Sequence, residues 1–268
     1  MSRLLVEKFG AVWVAKFHNP PHSYMDPQTE KALSEFLDEV EANEEVRVVV
    51  LTGSEPGVFI RHYDVAVLLG NSEAMSAKGM TFTLDRPVPE TLIHKSLARI
   101  ESSPVPFIAA INGSAMGGGF ELTLACDIRL VQEGDYDLGL PEVNIGLLAG
   151  AGGTQRLPRL IGQSRALAME LCGRTISPRQ AVEFGLALEC VEDDVLARAL
   201  VLAEQLVGKS AQALAHIKYL VRGSTQWDRD EGLAKERTAF CDLLVKADSR
   251  DAMRAMVAGE KNIRNTDD

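Results

Sequence analysis

A strand-like apolar run followed by three consecutive glycines constrains this chain more than any other feature. The run Phe107–Ile111 leads to Gly117, Gly118 and Gly119, and Glu121 stands where a helix would begin. Helix N-termini carry unpaired N–H groups and the positive end of the helix dipole, which stabilise developing negative charge. The segment therefore predicts a strand, a turn and a helix with a site for an oxyanion, although the same glycines would also serve tight packing of a helix on a strand.

The elements around this segment predict an α/β fold. Residues 4–8 and 11–17 have the pattern of a β-hairpin, Asp26 and Pro27 form a helix start, and residues 46–51 are typical of a strand buried on both faces of a parallel sheet. Residues 54–106 are irregular until a helical pattern at 90–102, as expected of a segment that covers a substrate. No internal sequence repeat is visible.

The second half of the chain is predominantly helical. Helical patterns occupy residues 164–172, 178–184, 193–207, 210–221, 228–245 and 249–257, and a β-like stretch at 186–191 interrupts them. We therefore expect an α/β core over residues 1–200 and a helical region over residues 201–268.

Charge, cysteine spacing and hydropathy limit the classes of function. A formal charge of −10 argues against nucleic acid as the main partner, because phosphate backbones are bound by dense lysine and arginine. The four cysteines, Cys126, Cys172, Cys190 and Cys241, have no metal-ligand spacing and are expected to be buried thiols, so no metal site is predicted. With no signal-peptide pattern and no apolar run of about 20 residues, we expect a cytoplasmic protein that binds no membrane.

The common glycine-loop motifs fail at both glycine turns. Neither turn is followed by the Gly-Lys-Ser/Thr of a phosphate-binding loop, and Gln155 stands where a dinucleotide fingerprint needs its third glycine. Ser114 lacks the Gly-x-Ser-x-Gly frame of a hydrolase nucleophile, because Gly113 precedes it directly and Met116 replaces the second glycine. These absences leave acid–base chemistry as the main functional signal.

Two acids in apolar surroundings supply that signal. Glu121 follows the first glycine turn, and Glu142 lies between Pro141 and a second glycine-rich stretch at 149–156. Burial raises the pKa of a carboxyl group towards the range useful for proton transfer. From spacing alone, the alternative remains open that one acid caps a helix or binds loop amides and the other pairs with Arg156 or Arg129.

The combination of these motifs resembles the crotonase superfamily, the enoyl-CoA hydratases and isomerases. The resemblance rests on Phe107–Gly113, on Gly117–Leu122 with Cys126-Asp127, on Leu140-Pro141-Glu142 and on Gly150–Leu157, and it extends over nearly the whole chain. It implies a ClpP-like spiral of ββα units with C-terminal helices that serve trimerisation.

The resemblance also implies roles for particular residues. Gly118 and Tyr63 correspond to the backbone N–H donors of the oxyanion hole, and Glu121 and Glu142 correspond to the two catalytic acids. Isomerases and several other members keep only one acid, so both together favour addition of water to a 2-enoyl-CoA thioester. We also expect His62, Arg61, Gly117 and Gly150 to contact the substrate.

One segment departs from the pattern of the family. Small residues usually precede the aspartate of the oxyanion loop, whereas this chain has Arg61, His62 and Tyr63 before Asp64. A backbone donor survives any side chain except proline, so the hole still forms. Either the three side chains point away from the thioester, or the pocket accepts another substrate. His62 would then be a further acid or base, or it would only bind loop backbone.

The sequence therefore predicts an enoyl-CoA hydratase, with coenzyme A as part of the substrate and no separate cofactor. Two alternatives stay open: an isomerase or a C–C or thioester hydrolase on the same fold, and a non-catalytic crotonase-fold subunit for binding or assembly. The resemblance further implies a homotrimer, or a hexamer made of two trimers.

Overall fold

The computed structural model describes residues 2–264, which divide between Val207 and Gly208 into two compact units. The first unit contains ten strands and helices α1–α8, and the second contains helices α9–α11. Residue 200, the predicted limit of the core, lies within α8 (Val195–Val207).

The strands of the first unit form two sheets. Their bounds are β1 Leu4–Phe9, β2 Val12–Phe17, β3 Val48–Gly53, β4 Gly57–Ile60, β5 Phe107–Ile111, β6 Gly113–Met116, β7 Ile128–Gln132, β8 Leu138–Gly139, β9 Thr175–Ile176 and β10 Glu189–Val191. The larger sheet has the order β1-β2-β3-β5-β7-β10 and is parallel except for the β1–β2 hairpin. The smaller sheet has the order β4-β6-β8-β9, with β9 antiparallel to β8.

Helices connect successive pairs of strands. Their bounds in the first unit are α1 Pro27–Glu41, α2 Val65–Ala77, α3 Leu92–Ser102, α4 Gly118–Ala125, the 3₁₀ helix η1 Glu142–Ile145, α5 Gly153–Ile161, α6 Gln163–Leu171, α7 Pro178–Glu183 and α8. The pairs β3–β4, β5–β6 and β7–β8 each place one strand in each sheet, and each pair is followed by helix. This repeated ββα arrangement is the spiral that the sequence predicts.

The core is built from strands that are buried on both faces. All six residues of β3 are buried. Val49 and Leu51 point into the main core, whereas Val48 and Val50 point to the other face and pack against α8. Helix α1 begins as predicted, with the Asp26 side chain accepting the Thr29 N–H at 2.8 Å and proline in the first turn. The buried strand and the helix start that the sequence predicts are thus both present, with the strand at 48–53 instead of 46–51.

The structure corrects the predicted connections around the glycine turn. Strand β5 does not lead directly into that turn, because the short strand β6 of the second sheet intervenes. Helix α2 lies in the segment predicted to be irregular. It has no buried residue, and the apolar run at its start, residues 65–69, does not recur at helical spacing, so the sequence gives no amphipathic pattern. Part of the predicted loop 149–156 belongs to α5, which begins at Gly153. The glycines at its start are typical of a loop, so the sequence does not predict this helix.

The prediction of buried cysteines is wrong for two of the four. Cys126 is buried and Cys190 is half-buried, whereas Cys172 and Cys241 are exposed. Both exposed cysteines lie at or beside the end of an amphipathic or polar helix, where apolar neighbours in sequence do not imply a shared buried face.

The second unit consists of α9 Ala211–Gly223, α10 Arg229–Leu244 and α11 Ala247–Val257. Trp227, in the connection between α9 and α10, packs on Tyr219 with a ring separation of 4.9 Å. Several apolar side chains of this unit are exposed, among them Ile217, Val221, Phe240 and Val245. Assembly into trimers or hexamers through these helices stays a prediction. None of the helices within residues 2–264 combines the length and apolar character needed to cross a membrane.

Candidate active site

The three glycines between β6 and α4 have different structural roles. Gly117 adopts φ +50° and ψ −129°, a conformation that L side chains rarely adopt. A Cβ on Gly119 would lie 2.5 Å from the carbonyl oxygen of Ile60, so this glycine allows α4 to approach β4 closely. A Cβ on Gly118, by contrast, would meet only ordinary contacts at 3.4 Å and beyond. Neither tight packing nor an unusual backbone conformation therefore explains why glycine occupies this position.

Tyr63 lies beside Gly118 at this turn, and Met25 fixes the direction of its backbone. Met25 forms a parallel bridge with Tyr63, in which Met25 N donates to His62 O at 2.9 Å and Asp64 N donates to Met25 O at 2.8 Å. Because a parallel bridge uses only one edge of a residue, the Tyr63 N–H points away from Met25. The Tyr63 ring lies beside Gly118, with Cδ2 3.7 Å from the position of an added Cβ.

Neither the Gly118 N–H nor the Tyr63 N–H donates a hydrogen bond within residues 2–264: Gly118 is the first residue of α4, and the bridge to Met25 leaves the Tyr63 amide unused. Unpaired donors at a helix start are suited to bind an anionic oxygen. The structure therefore brings together the two residues that the sequence predicts as an oxyanion hole.

Glu121 lies on the first turn of α4 and is held by backbone amides. Its Oε1 accepts the N–H of Ala151 at 2.7 Å and the N–H of Gly153 at 2.8 Å, and the residue is only 2 % exposed. Burial raises the pKa of Glu121, while these two hydrogen bonds and the charges of Arg156 and His94 act in the opposite direction. Its carboxylate is thus fixed in position and partly stabilised in its ionised form.

Arg156 supports this arrangement indirectly. Its guanidinium donates to Ala151 O at 2.7 Å and pairs with Glu101 Oε2 at 2.7 Å. Arg129 donates instead to backbone carbonyls, including those of Leu186 and Cys126. The sequence left open that one acid binds loop amides and that the other pairs with Arg156 or Arg129. The first part is correct for Glu121, whereas Arg156 forms its ion pair with Glu101 and not with Glu142.

Glu142 begins η1 and is held much less firmly. Its Oε1 would lie 3.1 Å from a Cβ on Gly117, which places the carboxyl group against the glycine turn. Its Oε2 is buried and has no hydrogen-bond partner in the described part of the chain. Burial, followed by repulsion from Glu121 and Glu170, raises the pKa of Glu142 to about 7.

The three bulky residues of the oxyanion loop turn in different directions. Arg61 is exposed and its Nε donates to His22 O at 3.3 Å. The His62 ring stacks on Tyr24 at 4.5 Å and its Nδ1 donates to Tyr63 O at 2.7 Å. The Tyr63 hydroxyl donates to Glu30 Oε1 at 2.7 Å. None of these side chains disturbs the two N–H donors.

A cavity of about 740 Å³ joins these groups. Seven of the eight predicted site residues line it: His62, Tyr63, Gly117, Gly118, Glu121, Glu142 and Gly150. Arg61 does not, because its side chain leaves the loop on the outer side. The remaining wall is largely apolar and includes Leu68, Ile93, Leu147 and Leu148.

Sequence reasoning missed several residues of this site. Glu30 of α1 lines the cavity, and His94 of α3 bonds through Nε2 to Gly150 O at 2.9 Å. Glu170 of α6 faces a neighbouring cavity of about 790 Å³ that shares Glu142 with the first, and burial and then Glu121 raise its pKa. In the sequence these three polar residues look like ordinary solvent-facing positions of a helix, so helical spacing alone does not predict that they belong to this site. No group of three or more His, Cys, Asp and Glu side chains within residues 2–264 is arranged to hold a metal ion.

Comparisons with known proteins identify the family of this chain. The sequence model described as enoyl-CoA hydratase/isomerase matches residues 7–262. A Bacillus subtilis protein named "Probable enoyl-CoA hydratase" is 34% identical over 260 residues, with 96% of each chain covered. The short-chain-enoyl-CoA hydratase of Clostridium acetobutylicum is 31% identical over 263 residues, with 97% of each covered. The crystal structure of an enoyl-CoA hydratase from Bacillus anthracis superposes with a TM-score of 0.85 at 29% identity, covering 97% of this chain and 98% of the other.

Proposed function

This chain belongs to the enoyl-CoA hydratase/isomerase family and is an acyl-CoA-processing enzyme; we propose that its reaction is the addition of water to a 2-enoyl-CoA thioester. One observation carries the proposal: two carboxyl groups in different environments share a cavity with two unpaired backbone N–H groups. We also propose that coenzyme A enters only as part of the substrate and that no separate cofactor takes part.

The oxyanion hole would bind the thioester oxygen between the amides of Gly118 and Tyr63. Attack of water at the β-carbon moves the π electrons of the double bond towards this oxygen and forms an enolate. Donors fixed before the reaction stabilise that charge without reorganisation, and loss of one such donor typically raises the barrier by about 3–4 kcal/mol. The N-terminus of α4 adds the positive end of its dipole.

The two acids would divide the proton transfers. Glu121, whose carboxylate accepts two N–H groups, takes the proton from the attacking water as its oxygen bonds to the β-carbon. Glu142, whose pKa is about 7 and whose Oε2 lacks a partner, delivers a proton to the α-carbon as the enolate collapses to the thioester. The product has gained one water, and a proton passes from Glu121 back to Glu142 before the next turnover.

Product analysis on a small panel of acyl-CoA thioesters tests this proposal. Crotonyl-CoA should give a 3-hydroxyacyl product heavier by one water. A shifted double bond with unchanged mass would indicate an isomerase instead, and release of free coenzyme A would indicate a thioester hydrolase. A non-catalytic protein is recognised by the lack of any turnover; if saturating acyl-CoA also left the melting temperature unchanged, the chain would not bind these thioesters at all.

A further inference from the structure

The cavity contains a third buried carboxyl group that the proposed reaction does not use. Glu30 lies on α1 and is only 8 % exposed, although this helix otherwise turns apolar side chains such as Leu33 and Leu37 inwards. It lines the same cavity as Glu121 and Glu142. A carboxylate in such a place is costly unless it has a hydrogen-bonding partner.

Tyr63 is that partner, but it satisfies only one of the two carboxylate oxygens. The phenol donates to Glu30 Oε1 at 2.7 Å, whereas Oε2 accepts no hydrogen bond from the described residues. Burial, together with the bond to Glu30, raises the pKa of Tyr63, so its hydroxyl keeps its proton and directs it at Glu30. The pair therefore offers the cavity acceptor atoms only: the free Oε2 and the lone pairs of the phenol oxygen.

The position of this pair relates it to the acyl group. Tyr63 supplies its backbone N–H to the proposed oxyanion hole, and its side chain reaches from there to Glu30. The acceptor atoms are thus separated from the proposed position of the thioester oxygen by no more than the length of the Tyr63 side chain. The lining of the same cavity includes Met25, Leu68 and Ile93, and apolar side chains of this kind favour a neutral donor over an ammonium ion.

We propose that Glu30 and Tyr63 form a specificity-determining pair that accepts a hydrogen bond from a hydroxyl group on the acyl chain, so that the preferred substrates are hydroxylated acyl-CoA thioesters. This inference rests on the proposed function for the placement of the thioester, and it adds the chemical class of the acyl group. Removal of the acceptor atoms leaves the hydroxyl group of a bound ligand without a partner in the cavity, which makes the preference measurable.

Binding of saturated thioesters tests the inference without requiring catalysis. Calorimetric titration of the full chain with pentanoyl-CoA, 4-hydroxypentanoyl-CoA and 5-hydroxypentanoyl-CoA should show at least one hydroxylated ligand bound about tenfold more tightly than pentanoyl-CoA. Glu30→Leu should remove this preference, and Glu30→Gln, which keeps the shape and one acceptor oxygen, should reduce it. Glu35→Leu is the matched control, because Glu35 lies on the same helix with a side chain 62% exposed, and it should leave the preference unchanged.

Two results would overturn the inference: equal affinity of the native chain for all three thioesters, or a preference that survives both Glu30 variants. Melting curves of each variant show whether it is folded, and the comparison within the native chain stands even if Glu30→Leu does not fold. Failure to hydrate crotonyl-CoA would refute the proposed reaction but leave this binding comparison intact.

Discussion

Helix α4 and the 3₁₀ helix η1 each carry one acid of the site, yet they differ in almost every physical respect. All eight residues of α4 are buried, and no residue of η1 is. Glu121 on α4 is anchored by two N–H groups, whereas Glu142 on η1 has a buried oxygen without a partner in the described chain. The two side chains are identical, but two hydrogen bonds favour the ionised form of Glu121, whereas the buried Oε2 of Glu142 has no such bond to offset the burial that raises its pKa.

Removal of either acid should have the largest effect and shows whether both regions are needed. We predict that Glu121→Gln and Glu142→Gln each lower kcat for hydration of crotonyl-CoA by about 10²–10⁴-fold, because each loses a proton transfer in the transition state. The double variant should be little worse than the slower single one, since the two acids act as a unit. If both single variants kept the native rate, the assignment of the acids would be wrong.

The N-terminus of α4 offers the next test. Gly118→Pro removes the proposed oxyanion donor at a helix position that tolerates proline, and it should lower kcat by about 10²–10³-fold. Gly118→Ala is the control, because its Cβ would meet Met25 Sδ at 3.4 Å and Tyr63 Cδ2 at 3.7 Å, both ordinary contacts. Steady-state kinetics of the two folded variants should therefore differ strongly; equal rates would show that this N–H does not bind the thioester.

The pH dependence of the rate examines the difference between the two acids directly. The pKa of Glu142 is raised to about 7, so the group is protonated below this pH and loses its proton above it. Because the proposed mechanism needs the protonated form of Glu142 to donate to the α-carbon, kcat/KM for crotonyl-CoA should fall as the pH rises through about 7.

The same shift in the pKa of Glu142 predicts a change in stability. A folded-state pKa raised from 4.5 to about 7 means that the stability gained from the neutral form is present at low pH and is lost as the pH rises across this window. Equilibrium unfolding at several pH values should show a larger loss in the native chain than in Glu142→Gln, which keeps the raised pKa values of Glu121 and Glu170. A native chain and a variant with parallel pH dependences would contradict the raised pKa.

The smallest predicted effect belongs to Glu170. Its carboxylate is one of the groups that raise the pKa of Glu142, so Glu170→Gln should move the decline of kcat/KM to lower pH. The groups that act on Glu142 also include Glu121, which remains in this variant and preserves part of the shift. Glu183→Gln, an exposed acid on α7, should leave the pH profile in place. An unchanged pH profile in Glu170→Gln would show that Glu170 does not affect the pKa of Glu142.

The sequence predicts the α4 region much better than the region around η1 and the oxyanion loop. The β-branched run that becomes β3, the glycines and Glu121 follow strong local rules, and each is found in the expected element. Helix α2 is not predicted because its apolar residues lie mostly in one continuous run, residues 65–69, and do not recur at helical spacing. The pairing of Tyr63 with Glu30 joins residues 33 positions apart, and only the folded chain shows that the tyrosine hydroxyl reaches Glu30 while its ring lies beside Gly118.

Proton exchange on a saturated thioester tests the division of labour between α4 and η1 most directly. In D₂O, the native chain should replace an α-proton of butyryl-CoA with deuterium, because in the proposed mechanism Glu142 exchanges a proton with the α-carbon and the oxyanion hole stabilises the enolate without any attack by water. Mass spectrometry should show this exchange retained in Glu121→Gln and lost in Glu142→Gln. Exchange lost in Glu121→Gln and retained in Glu142→Gln would reverse the two roles and contradict the account.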